Sequence, residues 1–196
     1  MLSGLTVAVV LAAHLQEPTP TPPGPDEIAP AAQASPRTRE GRQIKEPRKT
    51  KYVAPKWPEN ALRAGLNGPV VLECEVGIDG RVKDVKVLYG YRSLAEAAEE
   101  AVRKWRYSTT ELDGKAVPVI MTVTVNFKLP APPKRDDLLA SLTDSDPEIR
   151  WAAIKWLSRY RPMTGAQKTA LERAQQDPDE SVRKAAKEAV EKFEGK

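Results

Sequence analysis

A chain of 196 residues with a formal net charge of +4 is long enough for one or two modest domains. It holds one cysteine and one histidine, so an internal disulfide is impossible and metal sites built on several His or Cys ligands are excluded. The histidine is His14, far from any folded element read below, which removes Ser/His/Asp and Cys/His catalytic sets.

Residues 1–15 are read as a signal peptide or short membrane anchor. Leu2 to Leu15 is apolar apart from Ser3, Gly4, Thr6 and His14. That is about 14 residues, or ~21 Å of helix, against the ~20 residues a membrane span needs. A cleaved secretory signal fits this length, with Ala12 and Ala13 as small residues near its end. The absence of Lys or Arg at its start leaves an uncleaved anchor or a misplaced start codon as alternatives. Residues 16–50 read as a proline-rich and basic linker. Glu17-Pro18-Thr19-Pro20-Thr21-Pro22-Pro23 favours polyproline II over any ladder. Arg37, Arg39, Arg42, Lys45, Arg48 and Lys49 follow, a run expected to be solvated and disordered or to touch an anionic surface. No aromatic interleaving accompanies it, so nucleic acid is not an expected partner.

Residues 51–130 carry the regular pattern. Pro58 opens a short predicted helix with Ala61 and Leu62 inward, ending at Gly65 or Asn67-Gly68, and Trp57 packs over the domain. From Gly68 to Lys128 the order is strand, turn, strand, helix, strand. Val70, Leu72, Cys74, Val76 and Ile78 alternate with Glu73 and Glu75, the period of a half-buried strand. That phase makes Cys74 a small buried hydrophobe. Asp79-Gly80 suits a two-residue hairpin turn, and Val85, Val87 and Tyr89 share a face of the return strand, with Val82 out of phase and a bulge expected there. Ser93 is placed to cap a helix whose stripe is Leu94, Ala97, Ala98, Ala101, Val102 and Trp105. In the last strand Val119, Met121, Val123, Val125 and Phe127 alternate with Ile120, Thr122, Thr124 and Asn126. One helical crossover makes the last strand antiparallel to the first and puts the first in the middle. Pro118 agrees, because proline favours an edge. An open edge is a template for a guest chain.

These residues resemble the C-terminal domain of the TonB family. The likeness rests on Pro55-Lys56-Trp57-Pro58, Ala61, Gly65, Gly68-Pro69-Val70, Asp79-Gly80-Arg81-Val82, Leu94, Ala97, Ala98, Ala101, Lys104-Trp105-Arg106-Tyr107 and Gly114. Trp57 stands where the family usually has tyrosine, Tyr107 where it has phenylalanine, and Ser108-Thr109 where Pro-Ala is common. The resemblance implies that the TonB box of an outer-membrane transporter adds as a strand to the last strand. Here that strand is Val119, Ile120, Met121, Thr122, Val123, Thr124, Val125, Asn126 and Phe127. It also implies inner-membrane motor proteins as partners through an anchor, and a homodimer paired through the last strands as a competitor of the peptide.

Leu129-Pro130-Ala131-Pro132-Pro133 is a second break, and residues 134–196 repeat internally. Leu138 and Ile149-Arg150-Trp151-Ala152-Ala153 recur 33 residues later as Leu171 and Val182-Arg183-Lys184-Ala185-Ala186. Asp146-Pro147 and Asp177-Pro178 are expected to open the second helix of each unit, with Arg150 and Arg183 bonding inside the repeat. The pattern resembles short HEAT-type repeats. Two helix pairs are few, so they should lean on one another and on a neighbour. Trp151 and Trp156 share one helix face poorly, which leaves room for an exposed one to meet a partner.

The expected fold class is α+β: a three-stranded antiparallel sheet with helices on one face, a small all-α HEAT-like repeat, and a disordered proline-rich N-terminal region. Neither catalysis nor a cofactor is expected. The residues and the two resemblances together point to an exported cell-envelope protein that binds an extended peptide and is linked to energy transduction. The alternative is a periplasmic interaction scaffold without energy coupling.

Overall fold

The computed structural model describes residues 35–42 and 44–194; the leader and the proline-rich stretch lie outside them. The elements in chain order are β1 (Lys49–Lys51), α1 (Glu59–Ala64), β2 (Gly68–Val76), β3 (Val82–Tyr89), α2 (Arg92–Arg103), β4 (Arg106–Tyr107), β5 (Glu111–Leu112), β6 (Lys115–Ala116), β7 (Val119–Phe127), α3 (Arg135–Ser141), α4 (Pro147–Leu157), α5 (Gly165–Ala174) and α6 (Glu180–Glu194). The main sheet is antiparallel in the order β3-β2-β7, with β2 in the middle. Register runs unbroken from Gly68 opposite Phe127 to Val76 opposite Val119. The fold is thus α+β, with a three-stranded sheet, helices on one face of it, and a helical C-terminal region.

The period-two residues of β2 and β7 meet the stripe of α2. Val70, Leu72, Leu94, Ala98 and Val102 are completely buried, and Trp105 nearly so. Each fully buried Leu or Val contributes about 1.5–3 kcal/mol, which is why the alternation decides the fold. Cys74 is buried among them, and burial pushes its thiol up to about 12. Trp57 packs edge-to-face on Phe127 at 5.4 Å.

Several local readings need correction. Ile78 leaves the inward row and is 56 % exposed, because the chain has already turned. The Gly77 amide donates to the Arg81 carbonyl and the Gly80 amide to the Gly77 carbonyl. This is a type I turn closed by a glycine bulge, not a two-residue loop. Gly80 is left-handed (φ 70°), and a Cβ there would lie 2.1 Å from the Tyr107 carbonyl oxygen. Register shifts place bulges at Lys83 and at Leu88; Val87, opposite Leu72, keeps to the inward row but is 37 % exposed on this edge strand. In α1, Ala61 and Ala64 are buried while Leu62 is half-buried. Asp113 and Gly114 both take positive φ and join β5 to β6 in a hairpin absent from the sequence reading. Ser93 does not cap α2; Tyr91 is the cap residue, without a side-chain bond. Instead the Glu148 carboxylate of α4 reaches the backbone amides of Arg92 and Ser93, and burial pushes its pKa up.

The repeat is offset differently from the Asp-Pro reading. Asp146 caps α4 through the Glu148 amide (2.9 Å). Its counterpart is Asp179, whose carboxylate accepts from the amides of Ser181 (2.9 Å) and Val182 (3.2 Å). Asp177 instead matches Asp144, each accepting from the amide two residues on. That frees Asp177 to take the Arg150 guanidinium through both oxygens (2.8 and 2.7 Å), tying the two repeats together. Arg150 also donates to the carbonyls of Asp144 and Ser145, and Arg183 repeats this with Asp177 and Pro178.

The repeat packs on the sheet unit through α1, which contacts α3 and α4. The Trp156 indole donates to the Gly65 carbonyl (2.9 Å), and the Tyr160 hydroxyl donates to the Pro133 carbonyl. Gly65 is the left-handed C-cap of α1 (φ 72°), and a Cβ on it would meet Trp156 Nε1 at 2.4 Å and Pro133 Cγ at 2.6 Å.

Two outcomes follow from this packing. Gly65→Ala should destabilise the protein by at least about 1–2 kcal/mol from the left-handed backbone alone. Urea unfolding of the Gly65→Ala, Trp156→Ala and double variants should show strong coupling between the two sites, since the indole is what the new methyl strikes. Asp177 titrates against two opposing influences: burial, the largest single one, raises its pKa, and the bonds from Arg150 and the Asp179 amide with the charges of Arg150 and Arg183 together hold it below its ordinary 3.8. Its stabilisation is therefore present above about pH 4 and lost as pH falls through the depressed folded value. Acid unfolding of Asp177→Asn should lack that loss, and Asp177→Ala should cost about 3 kcal/mol at neutral pH by leaving Arg150 unpaired.

Candidate peptide-binding edge and the groove beside it

The nine residues of β7 divide by their alternation. Val119, Met121, Val123, Val125 and Phe127 are buried and spend their main-chain groups on β2. Ile120 faces outward. Its amide donates to the Arg37 carbonyl (2.7 Å) and its carbonyl accepts from the Arg37 amide (2.9 Å). Alternation without a bulge then turns the main-chain groups of Thr122, Thr124 and Asn126 the same way. Thr122 is engaged as well. Thr124 and Asn126 are exposed, and among the described residues nothing pairs with them on that side.

The basic run before the domain is therefore not a solvated tether where the structure describes it. The chain doubles back here as a hairpin: the Thr38 amide donates to Arg42 and the Ile44 amide to Pro36. Thr38 is buried, and its hydroxyl accepts from the Arg42 amide (3.2 Å). The cations answer carboxylates on the face of β2 turned away from the helices, Arg37 on Glu73 (2.7 Å) and Arg39 on Glu75 (2.7 and 2.9 Å). Both pairs are partly exposed, so each stabilises only modestly. Lys49 sits 3.5 Å from the Trp105 ring centroid with Tyr52 and Tyr107 nearby, and burial lowers its pKa. The spacing of these cations predicted neither contact. A signal lay only in the charge match between Arg37/Arg39 and Glu73/Glu75, two residues apart in both stretches.

Beyond Asn126 the edge opens into a groove. An open cavity of about 560 Å³ runs along Asn126, Phe127 and the Leu129–Pro132 turn. It shares Asn67, Gly68, Pro69 and Trp156 with a second cavity of about 230 Å³, whose far wall is α4. Trp151 and Trp156 both face that second cavity, so the two indoles share a groove that their spacing did not suggest. Tyr91 lies 5.9 Å from Trp151, ring to ring.

Two family models match the chain, in sequence order. Residues 53–129 match the Gram-negative bacterial TonB protein C-terminal family, and residues 128–195 match the HEAT repeats family. Protein TonB of Xanthomonas campestris is 38% identical over 77 residues, covering 38% of this chain and 34% of that protein. Protein tonB2 of Pseudomonas aeruginosa is 32% identical over 78 residues, covering 39% of this chain and 29% of that one. The chain thus spans about a third of the length of the curated relatives it matches. Among solved structures, the Pseudomonas aeruginosa TonB C-terminal domain is similar at 26% identity and a TM-score of 0.36, covering 43% of this chain and 87% of that one. The tonB2 protein of Vibrio anguillarum is similar at 28% identity and a TM-score of 0.34, covering 59% and 99%. The chain thus joins a stretch that matches the TonB C-terminal family directly to one that matches HEAT repeats.

Proposed function

We propose that the outer edge of β7 receives an extended peptide by strand addition, the peptide being the TonB box of an outer-membrane transporter. The chain would then serve energy transduction across the cell envelope. The observation that carries this reading is the outward main chain at Thr124 and Asn126, exposed and unpartnered among the described residues. Strand addition draws affinity from main-chain hydrogen bonds and needs such an edge. The next outward position, Thr122, is engaged and the one after it, Ile120, is filled by Arg37, so a guest that runs past Thr124 to Ile120 must displace the Arg37 hairpin. That hairpin is held to the sheet unit by two main-chain bonds and three part-exposed ion pairs, a modest barrier.

The inner-membrane half of the role needs an anchor. Among the described residues no helix is long and apolar enough to cross a membrane, and residues 1–15 lie outside them. The scaffold reading has its own support in the HEAT repeats seated on the sheet unit, since repeat surfaces commonly serve as docking faces. N-terminal sequencing of the protein from membrane and soluble fractions separates the two. Retention in the inner membrane with residues 1–15 intact favours transduction, and a mature terminus near Ala13 favours the scaffold.

Two measurements address the edge itself. In hydrogen exchange the Ile120 amide should be protected while the Thr124 and Asn126 amides exchange almost freely. Titration of labelled protein with a TonB-box peptide should move the Thr124 and Asn126 amide signals first, then Ile120 and Arg37 together as the hairpin is displaced. Unmoved signals along β7 at saturating peptide would remove the reading, and a concentration-dependent shift without peptide would point to pairing of two copies instead.

A further inference from the structure

The groove between the sheet unit and α4 has a chemistry that the β7 edge does not use. Two cations stand over its indoles: the Arg159 guanidinium 4.8 Å from the Trp156 ring centroid, and the Lys155 amine 5.8 Å from that of Trp151. Arg159 is exposed, and among the described residues its side chain makes no hydrogen bond and no ion pair. Lys155 has one carboxylate neighbour, Glu188 at 3.6 Å, with both side chains about half exposed. Such a pair is weak and readily exchanged. Among the described residues no carboxylate lines either cavity, and Lys128 adds a third cation along the wall nearest Asn126.

A guanidinium laid on an indole keeps its N–H fork pointing sideways, where it can grip a carboxylate through two parallel bonds. The rings of Tyr91, Trp151 and Trp156 offer flat apolar walls for a ring placed beside that carboxylate. The inner cavity, about 230 Å³, is smaller than the ~300–1,000 Å³ of a whole small-ligand site and suits one side chain. It shares Pro69 and Trp156 with the outer cavity, which reaches Asn126, where the open part of β7 ends.

We infer that this groove is a second subsite for the guest peptide. It takes a carboxylate adjacent to an aromatic or other flat apolar side chain, just beyond the residues that add to β7. The HEAT unit then contributes to recognition through Arg159, Lys155 and the two indoles rather than serving as a separate module. The inference rests on the strand-addition reading in one respect, that the carboxylate and the strand-adding residues belong to one chain.

The test uses the full chain, 15N-labelled, and three capped peptides. One is an uncharged extended octapeptide; the others carry Phe-Asp added at its N-terminal or its C-terminal end. One tagged peptide should bind about tenfold tighter than the octapeptide, the scale of a charge-assisted bond. It should also move the Trp151 and Trp156 indole signals, with the gain fading at high salt. Arg159→Gln should abolish the gain and leave octapeptide affinity unchanged; Arg159 is exposed, so the fold is not at risk. Equal affinities with unmoved indoles would overturn the subsite while leaving the β7 reading intact. Indole shifts without shifts at Thr124 and Asn126 would uphold the groove and remove the β7 reading. A soluble muropeptide moving the indoles where neither tagged peptide does would assign the groove to a glycan and overturn the peptide proposal.

Discussion

The junction of the two units depends on one close approach. At Gly65 the chain must take a left-handed turn to end α1, and the same residue must leave its Cβ position vacant for an indole from α4. Glycine satisfies both demands. The Trp156 N–H then caps the carbonyl that the turn leaves exposed. Were this contact absent, α4 would stand off the sheet unit, and the cavity walled by Tyr91, Trp151 and Trp156 would lose one side. Glu148 adds a second tie from the same helix, supplying negative charge to the first amides of α2, where the N-terminal helix dipole welcomes it. The sheet unit and the repeats thus complete one another's unsatisfied backbone.

Much of the sheet was legible beforehand because its signal is local and repetitive. Val70, Leu72, Cys74 and Val76 against Glu73 and Glu75 allow one register, and a slip by one residue would expose the whole row. Leu94, Ala98 and Val102 announce a helix face in the same way. Ile78 misled because it continues the period past the point where Gly77 begins the turn; hydrophobic phase carries no information about where a chain bends. Asp113-Gly114 was an overlooked hairpin signal, since both residues tolerate positive φ. Asp177-Pro178 misled by composition: it looks like Asp146-Pro147, yet the repeat period pairs Asp177 with Asp144 and Asp179 with Asp146.

The site was less legible, for a different reason. Alternation correctly assigns the outward row of β7, but whether that row is open depends on Arg37, more than eighty residues earlier in the chain. A basic run carries no period from which to read a docking geometry. The groove is harder still, because Trp151 and Trp156 come together only after α4 meets Gly65 and Tyr91. Long-range pairing of this sort is a property of the assembled fold, and no window of sequence contains it.

The hairpin on β7 also sets where a mechanical load would enter. Tension applied through the backbone at residue 35 first reaches Arg37, and through it the free flank of the strand proposed to carry the guest. Two main-chain bonds hold there, against the continuous nine-residue ladder joining β7 to β2. The outer fastening is therefore built to part before the sheet does. A pull on the N-terminal side would uncover Ile120 before the load reached the nine-residue ladder or the helical repeats.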